Sequence, residues 1–94
     1  MDNEKAAVML RLPSTLSAYS GGKSQLLLKA DTIEQLLEVL ERQHPLVWEH
    51  LCNEQGHVRE HVKIFVNNDM ITGIDGLKTL LKPGQEVIVL PANL

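Results

Sequence analysis

With 94 residues, 44% of them hydrophobic and 22% charged, the chain has the size and make-up of one ordinary water-soluble core. A formal charge of −3 gives no general attraction to phosphate backbones, and no apolar run approaches the roughly 20 residues that a membrane helix needs. The lone Cys52 excludes an internal disulfide framework, and the opening Met1-Asp2-Asn3-Glu4-Lys5 lacks the pattern of a secretion signal. A single domain over residues 1–94, working in the cytoplasm, is expected.

In chain order, residues 7–12 (AVMLRL) alternate, with Val8, Leu10 and Leu12 on one face and Met9 and Arg11 on the other, so the segment predicts a strand that Pro13 ends. Residues 14–23 are turn-rich, with Ser20-Gly21-Gly22-Lys23 at the tip of a hairpin-like return. A phosphate cradle at the two glycines would need more glycines and a following helix, so a plain turn is expected. Residues 24–30 come back as a second strand through Leu26-Leu27-Leu28.

The next segment predicts the main helix. Asp31 and Thr32 each have a Glu or Gln three residues on, giving two overlapping capping boxes, and Ile33, Leu36, Leu37 and Leu40 form one apolar stripe. Pro45 stops that helix. Residues 46–52 read as a second, short helical segment in which Trp48 and Leu51 plug the end of the core, followed by a polar loop to Glu60.

This region holds the one constellation with metal-ligating chemistry: His50, Cys52, His57 and His61. The spacing of His57 and His61 suits one helix face, and imidazole with thiolate suits zinc. Nothing in the sequence ties Cys52 to His57 across Gly56, however, so surface histidines and a packed thiol are expected, with no metal and no cofactor. Cys52 also lacks an orienting partner for a nucleophile.

Val62, Ile64 and Val66 alternate with Lys63 and Phe65 in a further strand, and Asn67-Asn68-Asp69 supplies a tight turn. Met70-Ile71-Thr72 should return as a short strand, and Leu77, Leu80 and Leu81 should bury themselves from one helical turn. Pro83-Gly84 fits the centre of a type II turn that delivers the chain into a last strand, Gln85 to Leu90, rich in β-branched residues. Two strands, a helix across them and further strands, with the apolar last strand central against the first, make an α+β arrangement. The expected layout is a ubiquitin-like β-grasp: a mixed sheet of four to five strands with one main helix across one face.

On residues 10–13 (LRLP) with Gly21-Gly22 downstream, the helix opening Asp31-Thr32-Ile33, residues 62–68 (VKIFVNN) and the ending 81–92 (LKPGQEVIVLPA), the chain resembles the ThiS/MoaD-type sulfur-carrier family, in its CysO-like branch. The resemblance implies a carrier rather than a catalyst, and the absence of paired carboxylates or an oriented nucleophile agrees. It implies a protein partner, either an adenylating enzyme of the ubiquitin-activating type or a synthase in molybdopterin, thiamin or cysteine biosynthesis. It also implies a C-terminal Gly-Gly whose carboxylate becomes a thiocarboxylate. Here Pro91, Ala92, Asn93 and Leu94 stand as the carrier arm, without glycine. A branched leucine fits a glycine-selective channel poorly, so the sequence as given is not expected to be thiocarboxylated. The other reading of the same residues is a non-conjugating β-grasp binding module.

Either way the alternation points to a docking surface. With Val87 and Val89 toward the helix, Ile88 and Leu90 fall on the open face of the sheet, joined by Met9 and Phe65 and flanked by Arg11 and Lys63. Met70 and Leu90 also match positions at which the resemblance implies hydrophobic contacts with a partner enzyme.

Overall fold

A computed structural model describes residues 5–91. Ala7–Arg11 (β1) pairs antiparallel with Gln25–Lys29 (β2), Val8 opposite Leu28 and Leu10 opposite Leu26, so the inward sets of the two strands meet. Glu86–Pro91 (β5) runs parallel to β1 on its other side and antiparallel to Val62–Val66 (β3), which carries the two-residue Asp69–Met70 (β4) at its edge. The strand order is β2-β1-β5-β3-β4, with the apolar last strand in the centre as the sequence predicts. This is the β-grasp layout.

The helices lie on one side of this sheet. Ile33–Gln43 (α2) begins at Thr32, whose hydroxyl accepts from the Gln35 amide at 3.1 Å, while the Gln35 side chain accepts from the Asp31 amide at 2.9 Å. The reciprocal bonds of the box therefore span Asp31 and Thr32. Asp31 instead turns its carboxylate to the Ala6 amide at 3.1 Å, tying the helix entry to the start of β1. Ile33, Leu36, Leu37 and Leu40 bury their stripe against Val8, Leu10, Leu26, Leu28, Val87 and Val89. Each such side chain contributes on the order of 1.5–3 kcal/mol by leaving water, which makes this packing the main source of stability.

Three expectations are corrected. Residues 14–20 are helical, Ser14–Ser17 (α1) running into a 3₁₀ turn, Ala18–Ser20. Buried Leu16 anchors the segment, and the Ser20 hydroxyl donates to both the Ser17 and Lys23 carbonyls (2.9 and 2.6 Å), holding the chain above Gly21 and Gly22. Those glycines sit at φ +75° and +86°, a left-handed turn and not a cradle.

Pro45 does end α2, yet it also opens the next helix, Pro45–Leu51 (α3), at a first position that needs no N–H. The expected Met70-Ile71-Thr72 strand is cut to β4, because the chain turns into a 3₁₀ segment at Ile71–Gly73, the Ile74 amide donating to the Ile71 carbonyl.

Leu80 is 70% exposed and not buried. The Ile33 amide donates to the Thr79 carbonyl and the Leu81 amide to that of Asp31, so residues 79–81 lie extended beside the start of α2 and alternate: Thr79 and Leu81 in, Leu80 out. Gly84, at φ +86°, forms the expected turn into β5.

Candidate docking face

Alternation carries the site. In β1, β3 and β5 the even-numbered Val8, Leu10, Val62, Ile64 and Val66 and the odd-numbered Val87 and Val89 are buried under the helices. Their neighbours must project from the opposite side, which no helix among the described residues covers. One cross-strand row there spans all five strands: Gln25 opposite Arg11, Arg11 opposite Ile88, Ile88 opposite Phe65, Phe65 opposite Met70. At about 4.8 Å per strand this row is roughly 19 Å wide. Beside it Leu27, Met9 and Glu86 form a second row, and Leu90 with Lys63 a third.

The sequence-predicted residues Met9, Arg11, Lys63, Phe65, Met70, Ile88 and Leu90 thus lie on one face. Phe65, Ile88 and Met9 are half-buried by their row neighbours, whereas Leu90 is 44% and Met70 36% exposed. Arg11 reaches across to Glu86 at 3.4 Å, which leaves a solvated ion pair between the rows. Leu27, at 66% exposure, is the largest apolar group on the face that the sequence reading missed. The signal was available: in an alternating strand, the middle of Leu26-Leu27-Leu28 must point away from its neighbours.

Pro91, read from sequence as the first residue of the carrier arm, is the last residue of β5, opposite Val62. Ala92, Asn93 and Leu94 lie outside the described residues.

The histidine and cysteine cluster is arranged differently from the sequence reading. Residues 52–58 close as a small hairpin: Cys52 bridges Val58, the Asn53 amide donates to the His57 carbonyl at 2.8 Å, and the Arg59 amide to that of Leu51 at 2.9 Å. The backbone therefore does tie the two halves together across Gly56. His50, Cys52 and His61 line one open cleft of about 630 Å³, and His57 is not among its walls.

His50 donates from Nδ1 to the Leu46 carbonyl at 2.8 Å, and its ring stacks on Tyr19 with centroids 4.1 Å apart. Cys52 is 1% exposed, and burial pushes its thiol up to about 11, offset in part by Arg59 and reinforced by Glu41. It stays protonated at neutral pH, the opposite of what a nucleophile or a thiolate ligand needs. No three His, Cys, Asp or Glu side chains among the described residues are grouped to hold a metal ion. No helix among them is long and apolar enough to cross a membrane.

A family model described as the ThiS family matches residues 10–93, nearly the whole chain. The chain belongs to the ThiS family. Among this family's relatives, the sulfur carrier protein CysO of Mycobacterium tuberculosis is 28% identical over 87 residues, covering 90% of this chain and 94% of the relative. The crystal structure of M. tuberculosis CysO superposes with a TM-score of 0.82 at 27% identity, over 92% of this chain and 99% of that one.

An Amycolatopsis orientalis CysO, solved as a BexX/CysO complex, gives 0.85 at 24% identity, over 94% and 98% of the two chains. The small archaeal modifier protein 1 of Methanosarcina acetivorans gives 0.84 at 23%, over 96% and 95%. The last two comparisons speak to the fold. Within the ThiS family the chain is thus similar to the CysO sulfur carriers, in sequence and in fold.

Proposed function

We propose that this ThiS-family protein works in the cytoplasm as a carrier or docking partner and not as a catalyst, by laying the open face of its sheet against an adenylating enzyme of the ubiquitin-activating type or a synthase. The observation that carries the reading is the uncovered row Arg11, Ile88, Phe65 and Met70, continued by Leu90 and Leu27. Contiguous apolar groups on an otherwise solvated sheet face mark a partner site, and here Lys63 adds a positive charge to a face whose Arg11 is paired with Glu86. Because β5 is part of that face, a partner that grips Ile88 and Leu90 also fixes the direction in which the chain leaves β5. Docking therefore places the residues after Pro91 without any reactive side chain of the domain's own.

Sulfur carriage at a C-terminal carboxylate is the chemistry that the family supports, and it rests on a terminal diglycine slender enough for a narrow channel. Two polypeptides separate docking from carriage: residues 1–94, and residues 1–92 followed by Gly-Gly. After incubation with the cognate adenylating enzyme, ATP and a sulfur donor, the second should gain about 16 Da by intact mass, sulfur replacing oxygen, and the first should not. Ile88→Asp in the second should abolish the gain while the domain stays folded. A gain on residues 1–94 would contradict the diglycine requirement, and a gain that survives Ile88→Asp would contradict the docking face.

A further inference from the structure

The free edge of β3 is a second feature, bordering the open face at Lys63 and Met70. The Asn67 amide donates to the Glu86 carbonyl at 2.8 Å, which fixes the phase of the β3–β5 ladder: Phe65 and Lys63 exchange their bonds with β5, and Val62, Ile64 and Val66 turn their backbone groups the other way. β4 reaches only Val66 and Phe65. The Val62 amide is taken by the Arg59 carbonyl at 3.0 Å, and the Ile64 amide and the Val62 carbonyl lie on the stretch of this edge that the β3–β4 ladder does not reach. Main-chain groups at such an edge call for a partner, and exposed strand edges are templates for another strand.

Beside this edge runs a groove of about 330 Å³, room for two or three side chains. Its walls are apolar, from Val58, Val62, Ile64, Met70, Ile71 and Leu77. The ionisable residues lining it are His57, Arg59 and Lys63 against a single Glu60. The Arg59 guanidinium donates from Nε and Nη2 to the Glu49 carbonyl (3.1 and 3.0 Å), which pins that positive charge in place.

We propose that this groove binds an extended segment of a partner protein, pairing with the free edge of β3, with apolar side chains at alternate positions and acidic residues flanking them. The backbone groups select a strand, the spacing of two along it matches apolar walls met on one side, and the basic rim selects the charge.

The test is an ¹⁵N NMR titration of the full chain with the peptide acetyl-Asp-Glu-Val-Ser-Ile-Asp-Glu-amide. The expected result is a downfield shift of the Ile64 amide, with smaller shifts at Leu77, Thr72 and Val58, and hydrogen exchange at Ile64 slowed at least tenfold at saturation. A peptide with lysines in place of the four acids should bind at least fivefold more weakly. Thr72→Asp, an exposed position on the groove wall, should weaken the acidic peptide by a similar factor with no change in melting temperature.

Shifts confined to β2 or to the open face would overturn the proposal, as would equal binding of the two peptides. Concentration-dependent shifts at Ile64 without any peptide would overturn it in favour of a second copy of the chain.

Discussion

The two sides of the sheet are made from the same strands, residue by residue in turn, and they answer to different demands. Toward the helices, Val87 and Val89 are sealed, at 0% and 1% exposure, among leucines from α2 and valines from β3. One residue along in either direction, Glu86, Ile88 and Leu90 stand on the other side among Arg11, Lys63, Phe65 and Met70. The covered side is apolar without exception along β1, β3 and β5, and its residues are there to fold the chain. The open side mixes large apolar groups with charges, a composition too polar for a core and too apolar for a surface meant only for water. Its apolar groups are only half-buried or exposed, so they stabilise the domain less than the sealed side does, and the proposed partner would account for the rest of their apolar surface.

That contrast can be broken most forcefully at β5. Val89→Asp puts an uncompensated carboxylate into the sealed side and should cost upwards of about 4 kcal/mol, leaving the chain largely unfolded by circular dichroism. Ile88→Asp, one residue away, should cost about 1 kcal/mol and keep a cooperative melt. Similar losses from both would mean that the faces are not distinct.

The next effect concerns the covered side and pH. The Cys52 thiol is pushed up to about 11 from 9.0 by burial, so between those values the unfolded chain ionises while the native one holds its proton. Native stability is therefore full below pH 9 and falls as pH rises toward 11, by about 2–3 kcal/mol in all. Urea midpoints at pH 8 and pH 10.5 should diverge more for the wild type than for Cys52→Ala; equal divergence would refute the assignment.

The smallest effect is on the open side. Arg11 and Glu86 pair at 3.4 Å with side chains 49% and 44% exposed, so Arg11→Ala should change stability by no more than about 0.5 kcal/mol in a denaturant titration.

Much of this was legible because local pattern and global fold agree. The strict alternation of Val62, Ile64 and Val66, the box at Asp31-Thr32 with Gln35, and Pro83-Gly84 before the last strand each state their own structure, and the structure obeys them. The shared face of the proposed docking residues follows from the same period of two. What escaped depends on bonds between segments far apart in sequence or on side chains that act on the backbone. Leu80 faces outward because Thr79 and Leu81 are bonded to the entry of α2, some fifty residues earlier, which no local spacing reveals. Residues 14–20 coil because serine hydroxyls cap nearby carbonyls. Leu27 was legible in principle from the alternation of its strand, but a run of three leucines shows no change of polarity to draw attention to the outward one, and pairing with Met9 makes the face plain. The hairpin at Cys52 and Val58 closes through backbone bonds to which the side chains of His57 and Cys52 give no clue.

The central claim is that the open face, and not the core, recognises the partner. It is tested most directly by combining Lys63→Glu with Phe65→Asp and measuring both the melting temperature and capture by the cognate adenylating enzyme. A melting temperature within a few degrees of the parent and no capture are expected. Capture at the parental level by the folded double variant, or loss of folding in its place, would contradict it.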